Sequence, residues 1–250
     1  MLAEKNNCKT HVKYVSVKNK KKRRIVKINK DQWLDNYLDA TKLKEVDLIV
    51  ELIGGSEGPA KKLVFNALKN KKHVVTANKA LMAKYGDKLS KIAELKKVNL
   101  EFEAAVCGGV PIIRSLKEGL IANKISKIYG IFNGTSNYIL SSMDKQNKSF
   151  DDVLFDAKNL GYAEANPSAD LNGEDVSSKL KILSSLCFNS FLNDNIYVEG
   201  IKGIDKTDID NANRLGYKIK LLGYSELLKN KFYQRVHPTL IKKDSYVASI

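Results

Sequence analysis

The segment 161–179 holds the densest group of side chains in the sequence that could do chemistry. Asp175 and Lys179 are four residues apart, so on a helix they share one face, one turn from each other. Glu164 and Asp170 lie in the loop before that helix. Carboxylates with one lysine suit an amino-acid ligand, because the acids can bind its ammonium group and the lysine can exchange a proton at an oxygen. A surface ion pair between Asp175 and Lys179 would explain the same spacing.

Three shorter polar segments also stand where a ligand could bind. Residues 76–79 directly follow a predicted strand, and ligands of open parallel sheets lie beyond the carboxyl ends of strands. Glu103 precedes a glycine pair at 108–109, a bend whose carbonyl groups could converge on a hard cation, although a strand-to-helix turn explains the same residues. The polar hexad 133–138 offers the N-terminus of a predicted helix to an anion or carboxylate.

Strands and helices alternate through the first half of the chain, which is typical of βαβ units with a parallel sheet. After about residue 123 the order changes to helices and strands without that alternation. The sequence therefore predicts an α/β fold: an incomplete Rossmann-type dinucleotide-binding domain at 1–110, then an α+β catalytic domain at 111–250. The predicted strands are 12–17, 46–53, 73–76, 99–105, 125–132 and 196–201. A hairpin is predicted to join 217–227 to 231–236 across Lys229 and Asn230.

The net charge is +15, from 43 Lys and Arg against 28 Asp and Glu, and it is uneven. Residues 1–30 alone hold eleven basic residues and a single acid. The basic run 18–24 could bind nucleic acid or another polyanion, but no nucleic-acid-binding motif accompanies it, and a solvated loop explains it as well. The three cysteines are far apart and the three histidines lack metal-ligand spacing, so neither a disulfide framework nor a zinc site is predicted.

Hydropathy predicts a cytoplasmic protein without membrane contact. No apolar stretch approaches the roughly 18–20 residues that span a bilayer. The first 30 residues are too polar for the apolar region of a signal peptide.

Four segments together resemble the homoserine dehydrogenases. They are Thr-Ala-Asn-Lys at 76–79, Phe-Glu-Ala-Ala-Val-Cys-Gly-Gly-Val-Pro-Ile at 102–112, Asn-Gly-Thr-Ser-Asn-Tyr at 133–138, and the block 161–179. The resemblance extends from about residue 9 to about 240. It implies the NAD(P)H-dependent reduction of L-aspartate 4-semialdehyde to L-homoserine, in the biosynthesis of threonine, methionine and isoleucine, by a homodimer.

The resemblance also implies roles for particular residues. Lys179 is expected to be the catalytic acid and base, with Lys79 near the reacting carbonyl. Glu164 and Asp175 are expected to bind the amino-acid end of the substrate. The cofactor is expected to contact Lys79, Thr76, Gly161 and Lys18, and a monovalent cation (sodium) is expected at Glu103 and the backbone carbonyls of Val106, Gly108 and Val110.

Lys18 bears on the choice of cofactor. In dinucleotide-binding folds an acid at the end of the second strand binds the ribose of NAD, whereas cations there accept the 2′-phosphate of NADP. Lys18, and no acid, ends the predicted strand 12–17. The sequence therefore predicts NADP(H) in preference to NAD(H).

The sequence also departs from the family. Asn166 stands where the family usually has Asp, and Cys107 where it usually has Ala or Gly. No glycine-rich phosphate loop precedes residue 12, and the family continues past residue 250. We therefore expect a chain truncated at both ends, weakly active or inactive by itself, with residues 1–10 as the end of a helix. A polyanion-binding protein and a related carbonyl oxidoreductase are the alternatives.

Overall fold

The computed structural model of the protein describes residues 10–188, 196–229 and 231–250. The chain forms two compact units, one ending at Phe102 and the other spanning Glu103–Ile250. Each unit has its own sheet. Residues 1–9, which hold most of the predicted helix end and Cys8, lie outside the described residues. Asn230 of the predicted turn lies outside them as well.

The first unit contains a parallel sheet with the order β1-β2-β3, covered by two helices that connect its strands. Pro59 opens the first of these helices at a position where its missing N–H costs nothing, and Leu63, Val64 and Leu68 of that helix are buried. This confirms the predicted α/β fold with a parallel sheet. The elements are β1 (Leu48–Glu51), α1 (Pro59–Lys69), β2 (His73–Thr76), α2 (Lys79–Lys96) and β3 (Leu100–Glu101).

The predicted strand 12–17 is wrong in extent. Only Val15 pairs, through an isolated parallel bridge to Trp33. The carbonyl of Val12 accepts a hydrogen bond from the Gln32 side chain, and Val12 itself is 69% exposed. Among the described residues, the segment therefore has no continuous backbone partner, which a strand needs.

The second unit packs helices against a sheet with the order β4-β6-β7-β5. The β6–β7 hairpin is the longest pairing, and β5 adds to β7 in parallel. The elements are α3 (Ile112–Arg114), β4 (Lys127–Gly130), α4 (Gly134–Gln146), α5 (Phe150–Asn159), α6 (Ser168–Leu171), α7 (Glu174–Phe188), β5 (Tyr197–Val198), α8 (Lys206–Arg214), β6 (Tyr217–Leu228) and β7 (Lys231–Lys242).

Three elements differ from the prediction. The predicted strand 99–105 is shorter, because it ends at Glu101 and Glu103–Ala105 form a 3₁₀ helix at the start of this unit. The polar loop before α7 contains the short helix α6, and β7 continues beyond Val236 through Pro238 to Lys242. The described part of β5 pairs with β7 only at Arg235 and Val236. Pro238 therefore has no described strand beside it on the β5 side of β7, where its missing N–H is tolerated.

Candidate active site

Helix α7 places Asp175 and Lys179 on one face near its N-terminus. The neighbouring residues Val176, Leu180 and Leu183 are buried in the core, and this fixes the rotation of the helix. The side chain of Asp175 is only 3% exposed and that of Lys179 is 15% exposed. The pair is therefore not the solvated surface ion pair that the four-residue spacing alone would allow.

The ammonium group of Lys179 is held at two points. Its Nζ lies 2.8 Å from Oδ2 of Asp175 and donates a hydrogen bond of 2.7 Å to the backbone carbonyl of Phe132, just beyond the end of β4. A carboxylate and a carbonyl thus fix the direction of one largely buried ammonium group. Such a group can give a proton to an oxygen that gains negative charge and can take it back.

Asn133 connects two carboxylates of this site. It is the N-cap of α4, and its Oδ1 accepts a 2.7 Å hydrogen bond from the N–H of Ser136. Its Nδ2 donates to Oδ1 of Asp170 at 2.7 Å and to Oδ2 of Asp175 at 2.9 Å. The sequence placed Asn133 in a polar hexad but gave it no part in the site. The only signal for it was a helix cap.

The loop before α7 is anchored to α4 by further polar contacts. The hydroxyl of Thr135 donates to the carbonyl of Tyr162 at 2.8 Å, and that of Ser136 donates to the carbonyl of Asp170 at 2.8 Å. The rings of Tyr138 and Tyr162 stack with centroids 4.4 Å apart. The hexad 133–138 therefore holds the loop as well as capping a helix.

The remaining predicted residues of this loop are exposed. Gly161 follows α5 with a φ of +79°, a conformation that favours glycine, and has open space where a Cβ would stand. Glu164 is exposed, and no partner for its carboxylate is found in the described part of the chain. Asn166 accepts hydrogen bonds from Ser168, from the backbone at 3.3 Å and the hydroxyl at 2.7 Å.

Glu103 binds backbone rather than side chains. Its two carboxylate oxygens each accept a 2.8 Å hydrogen bond, from the N–H groups of Ile113 and Arg114 at the start of α3. The carbonyl of Val110 accepts a bond of 2.8 Å from the N–H of Ile112. Of the other expected cation ligands, Val106 is buried, and Gly108 is exposed with a φ of +59°.

Cys107 lies in the same turn and is partly buried. Burial raises the pKa of its thiol; the positive charge of Lys179 opposes this rise, and the negative charge of Glu103 adds to it. A raised pKa leaves less thiolate, so Cys107 is poorly suited to act as a nucleophile.

In the first unit, a buried network lies at the carboxyl ends of β1 and β2. Glu51 is fully buried, and its Oε2 accepts a 2.6 Å hydrogen bond from the hydroxyl of Thr76. Its Oε1 accepts from the N–H groups of Ile53 at 2.6 Å and Gly54 at 3.0 Å. The Thr76 hydroxyl also accepts a bond of 3.0 Å from the N–H of Asn78. The sequence missed Glu51, whose only signal was a charge within an apolar strand.

Asn78 joins this network to the glycine pair after β1. It caps α2, and its Nδ2 donates a 2.8 Å hydrogen bond to the carbonyl of Gly55. Gly54 and Gly55 have φ values of +85° and +77°, and the space where a Cβ would stand is open at both. A ligand could therefore approach this backbone closely. Lys79, at the first position of α2, is exposed.

The basic run 18–24 folds back on itself. The guanidinium of Arg24 donates hydrogen bonds to the carbonyls of Asn19, Lys20 and Lys22. Lys20 and Arg24 lie 5.7 and 5.5 Å from the centre of the Trp33 ring, and Lys20 pairs with Asp35. Lys18 is exposed at the start of the run.

Neither a membrane helix nor a side-chain metal cluster is found among the described residues. No described helix is both long and apolar enough to cross a bilayer. No group of three or more His, Cys, Asp or Glu within the described ranges could hold a metal ion. The cation site expected at Glu103, which uses mainly backbone carbonyls, would not form such a group.

Two family models together match almost the whole chain. The model described as "Homoserine dehydrogenase, NAD binding domain" matches residues 1–103, and the model described as "Homoserine dehydrogenase" matches residues 111–250. The homoserine dehydrogenase of Neisseria gonorrhoeae is 49% identical over 208 residues, which are 83% of this chain and 48% of that protein. The chain therefore spans about half the length of this relative.

Solved structures agree with the sequence matches. A homoserine dehydrogenase from Thiobacillus denitrificans superposes with a TM-score of 0.83 and 48% identity, over 87% of this chain and 51% of that one. A hyperthermophilic archaeal homoserine dehydrogenase in complex with NADPH superposes with a TM-score of 0.71 and 27% identity, over 84% of this chain and 61% of that one. Sequence and structure lead to the same assignment, and the chain belongs to the homoserine dehydrogenase family.

Proposed function

We propose that the protein of this chain reduces L-aspartate 4-semialdehyde to L-homoserine with NAD(P)H. The observation that carries the proposal is the largely buried ammonium group of Lys179, held between the carboxylate of Asp175 and the carbonyl of Phe132. Reduction of an aldehyde needs a proton donor at the oxygen, and Lys179 is such a donor in a site that limits access of water.

A nicotinamide cofactor, when bound, would supply the hydride to the aldehyde carbon. The carbonyl oxygen then gains negative charge, and Lys179 gives it a proton to form the alcohol. In the reverse direction the lysine takes that proton back. Asp175 keeps the positive charge of Lys179 at the reacting oxygen, where it stabilises the negative charge as it develops.

The amino-acid end of the substrate is proposed to bind at the carboxylates of the loop before α7. Glu164 is exposed and can accept a substrate ammonium group. One oxygen of Asp175 already accepts hydrogen bonds from Asn133 and Lys179. Asp175 would therefore bind the substrate ammonium group while it also pairs with Lys179. Lys79 is proposed near the reacting carbonyl on the resemblance alone.

The glycine pair after β1 fits a dinucleotide. Its exposed backbone, free of any Cβ, lies at the carboxyl ends of parallel strands, where such ligands bind. Thr76 is proposed to contribute by its backbone, because its hydroxyl is already engaged with Glu51. Gly161 is proposed near the nicotinamide, and Lys18 near a 2′-phosphate, which would favour NADP(H).

A sodium ion is proposed at Glu103 and the carbonyls of Val106, Gly108 and Val110. These are hard oxygen donors, and each Glu103 oxygen retains one lone pair beyond its bond to a backbone N–H. Such an ion would brace the turn that carries Cys107 and would take no part in the proton transfer. A cytoplasmic location remains a prediction.

A homodimer is proposed through the sheet of the second unit. One row of directly opposed residues crosses all four strands: Tyr129, Tyr224, Arg235 and Tyr197. Tyr129 and Tyr197 are 56% and 60% exposed. Exposed aromatic residues with arginine are typical of the centre of a protein interface. Light scattering after gel filtration tests this, and a monomeric mass at micromolar concentration would contradict it.

The function is tested by replacing Lys179 in the 250-residue chain. NADPH oxidation is followed with aspartate 4-semialdehyde at high protein concentration. Lys179→Ala should lower kcat by about 10²- to 10⁴-fold, the range for loss of a general acid. Lys179→Arg should be nearly as slow, because arginine keeps the charge but does not release its proton. Lys158→Ala, an exposed lysine of α5, is the control. Turnover by Lys179→Ala at the wild-type rate would refute the assignment.

The cofactor preference is tested separately at Lys18. Lys18→Glu should lower the ratio of kcat/KM for NADPH over NADH by about 10- to 100-fold, the effect of losing a hydrogen bond to a charged group. Lys27→Glu makes the same charge change at another exposed lysine. Equal ratios in the two variants would show that Lys18 does not contact the 2′-phosphate.

A further inference from the structure

Asn133 makes more contacts within the candidate site than its position as a helix cap requires. Asn133 is buried, with 6% of its surface exposed. Its side chain makes three hydrogen bonds. We propose that Asn133 is a positioning residue that orients Lys179 through Asp175. This inference rests on the proposed function for its catalytic consequence, but the geometry itself can be measured without turnover.

The helix cap determines which way the amide of Asn133 points. The N–H of Ser136 needs an acceptor, and only the oxygen of an amide can accept it. The NH₂ group must therefore face the opposite side, where Asp170 and Asp175 each accept one of its two hydrogens. Both donor hydrogens and one acceptor position of the amide are thereby used, and the amide cannot flip without losing all three hydrogen bonds.

The same short segment also holds the lysine directly. Phe132, the residue before Asn133, accepts the Lys179 ammonium at its carbonyl, while Asn133 holds the carboxylate that pairs with that ammonium. Two adjacent residues after β4 thus define both contacts of the lysine. If the amide were lost, Asp175 would lose a hydrogen bond that orients its carboxylate, and the direction of the Lys179 ammonium group would be less well fixed.

A neutral donor suits this position because two carboxylates approach it. Asp170 and Asp175 both lie within 2.9 Å of one nitrogen, so their charges are close to each other. A third carboxylate there would repel both, while a hydroxyl would leave one of them without this donor. Helix capping alone could be met by several residue types, but donating to both carboxylates requires the NH₂ group of an amide at position 133.

Two substitutions separate capping from positioning. Serine and aspartate cap helices as well as asparagine does, so Asn133→Ser and Asn133→Asp keep the acceptor for Ser136. Asn133→Ser loses the two N–H donors, and Asn133→Asp also adds a negative charge. If Asn133 serves only as a cap, both variants should behave like the wild type. Ser149→Ala removes the cap of α5, away from the site, and is the control for lost helix stability.

The first readout is the acetylation of Lys179 by acetic anhydride, without substrate or cofactor. Peptide mass spectrometry gives its rate relative to that of the exposed Lys158 in the same sample. We expect the ratio to rise about tenfold in Asn133→Ser, the effect of one weakened charge-assisted hydrogen bond, and less in Asn133→Asp, because the added carboxylate favours the protonated, unreactive amine. Ser149→Ala should leave it unchanged. An unchanged ratio in both Asn133 variants would overturn the proposal.

The second readout is catalysis. Asn133→Ser should lower kcat about 10- to 100-fold with a smaller change in KM, because it misplaces the proton donor. Asn133→Asp should shift the pH–rate profile, since it adds a third carboxylate to the site. Wild-type kcat and an unchanged profile in both variants would also overturn the proposal. Absence of turnover in the wild type would refute the proposed function alone, because the acetylation ratio does not depend on it.

Discussion

Replacement of Glu51 tests how a buried carboxylate holds the loop after β1. Glu51 is fully buried and receives hydrogen bonds from Thr76, Ile53 and Gly54. In Glu51→Ala, the hydroxyl of Thr76, itself 1% exposed, loses its acceptor inside the protein. Ile53 and Gly54 are exposed, so water can satisfy their N–H groups at less cost.

The magnitude follows from these contacts. An orphaned buried hydroxyl costs about 1–3 kcal/mol, and the cavity left by a truncated buried side chain costs about 2 kcal/mol or more. We therefore expect Glu51→Ala to lower the free energy of unfolding of the first unit by about 3–5 kcal/mol. Glu51→Gln keeps the volume but turns an NH₂ group or an uncharged oxygen toward Thr76, so a loss of about 1–2 kcal/mol is expected.

Urea unfolding measured by tryptophan fluorescence reports on this unit, because Trp33 is the single tryptophan of the sequence and lies in the first unit. Glu94→Gln, an exposed carboxylate on α2, is the matched control and should change stability by less than about 0.5 kcal/mol. A Glu51→Gln protein as stable as the wild type would refute the reasoning. It would mean that relief from burying the charge equals the hydrogen bonds lost.

Two further predictions concern the second unit. A Cβ at Gly200 would stand 2.1 Å from the carbonyl oxygen of Leu171. Gly200→Ala should therefore lower the free energy of unfolding of the second unit by about 3 kcal/mol, measured by thermal or urea unfolding. Gly203→Ala, where the space for a Cβ is open, should not change it. Burial, with repulsion from Lys145, lowers the pKa of Lys220 below its ordinary 10.5. The unfolded chain then binds more protons between the two pKa values, so the stability contributed by Lys220 rises with pH there. Lys220→Met should remove that rise; a difference from wild type that is constant with pH would contradict it.

Local signals in the sequence predicted most elements of the fold. Pro59 opens α1 and Ser149 caps α5, and such residues are readable in a sequence because they act on the backbone within a few positions of themselves. The alternation at 12–17 failed because a strand also needs a partner distant in sequence. There, a bridge at Val15 and a side-chain bond to Val12 replace a continuous ladder.

The candidate site was predictable to the same extent. Asp175 and Lys179 could be paired from their spacing, since a helix brings residues four apart together. The two other partners of this pair could not, because Phe132 and Asn133 are more than forty positions earlier in the chain. One of them contributes only a backbone carbonyl, which every residue type carries, so no sequence pattern marks it.

Residue type also could not tell which carboxylates bind backbone and which bind side chains. Glu51 and Glu103 each accept hydrogen bonds from two consecutive backbone N–H groups, and each thereby fixes the turn or helix start that follows a strand of the first sheet. Asp175 instead accepts from the side chains of Asn133 and Lys179. A carboxylate that binds backbone stabilises one conformation of the chain, whereas one that binds an ammonium group also decides where that charge acts. In the proposed function, the position of Asp175 is therefore the one on which the chemistry depends, and those of Glu51 and Glu103 are the ones on which the loops depend.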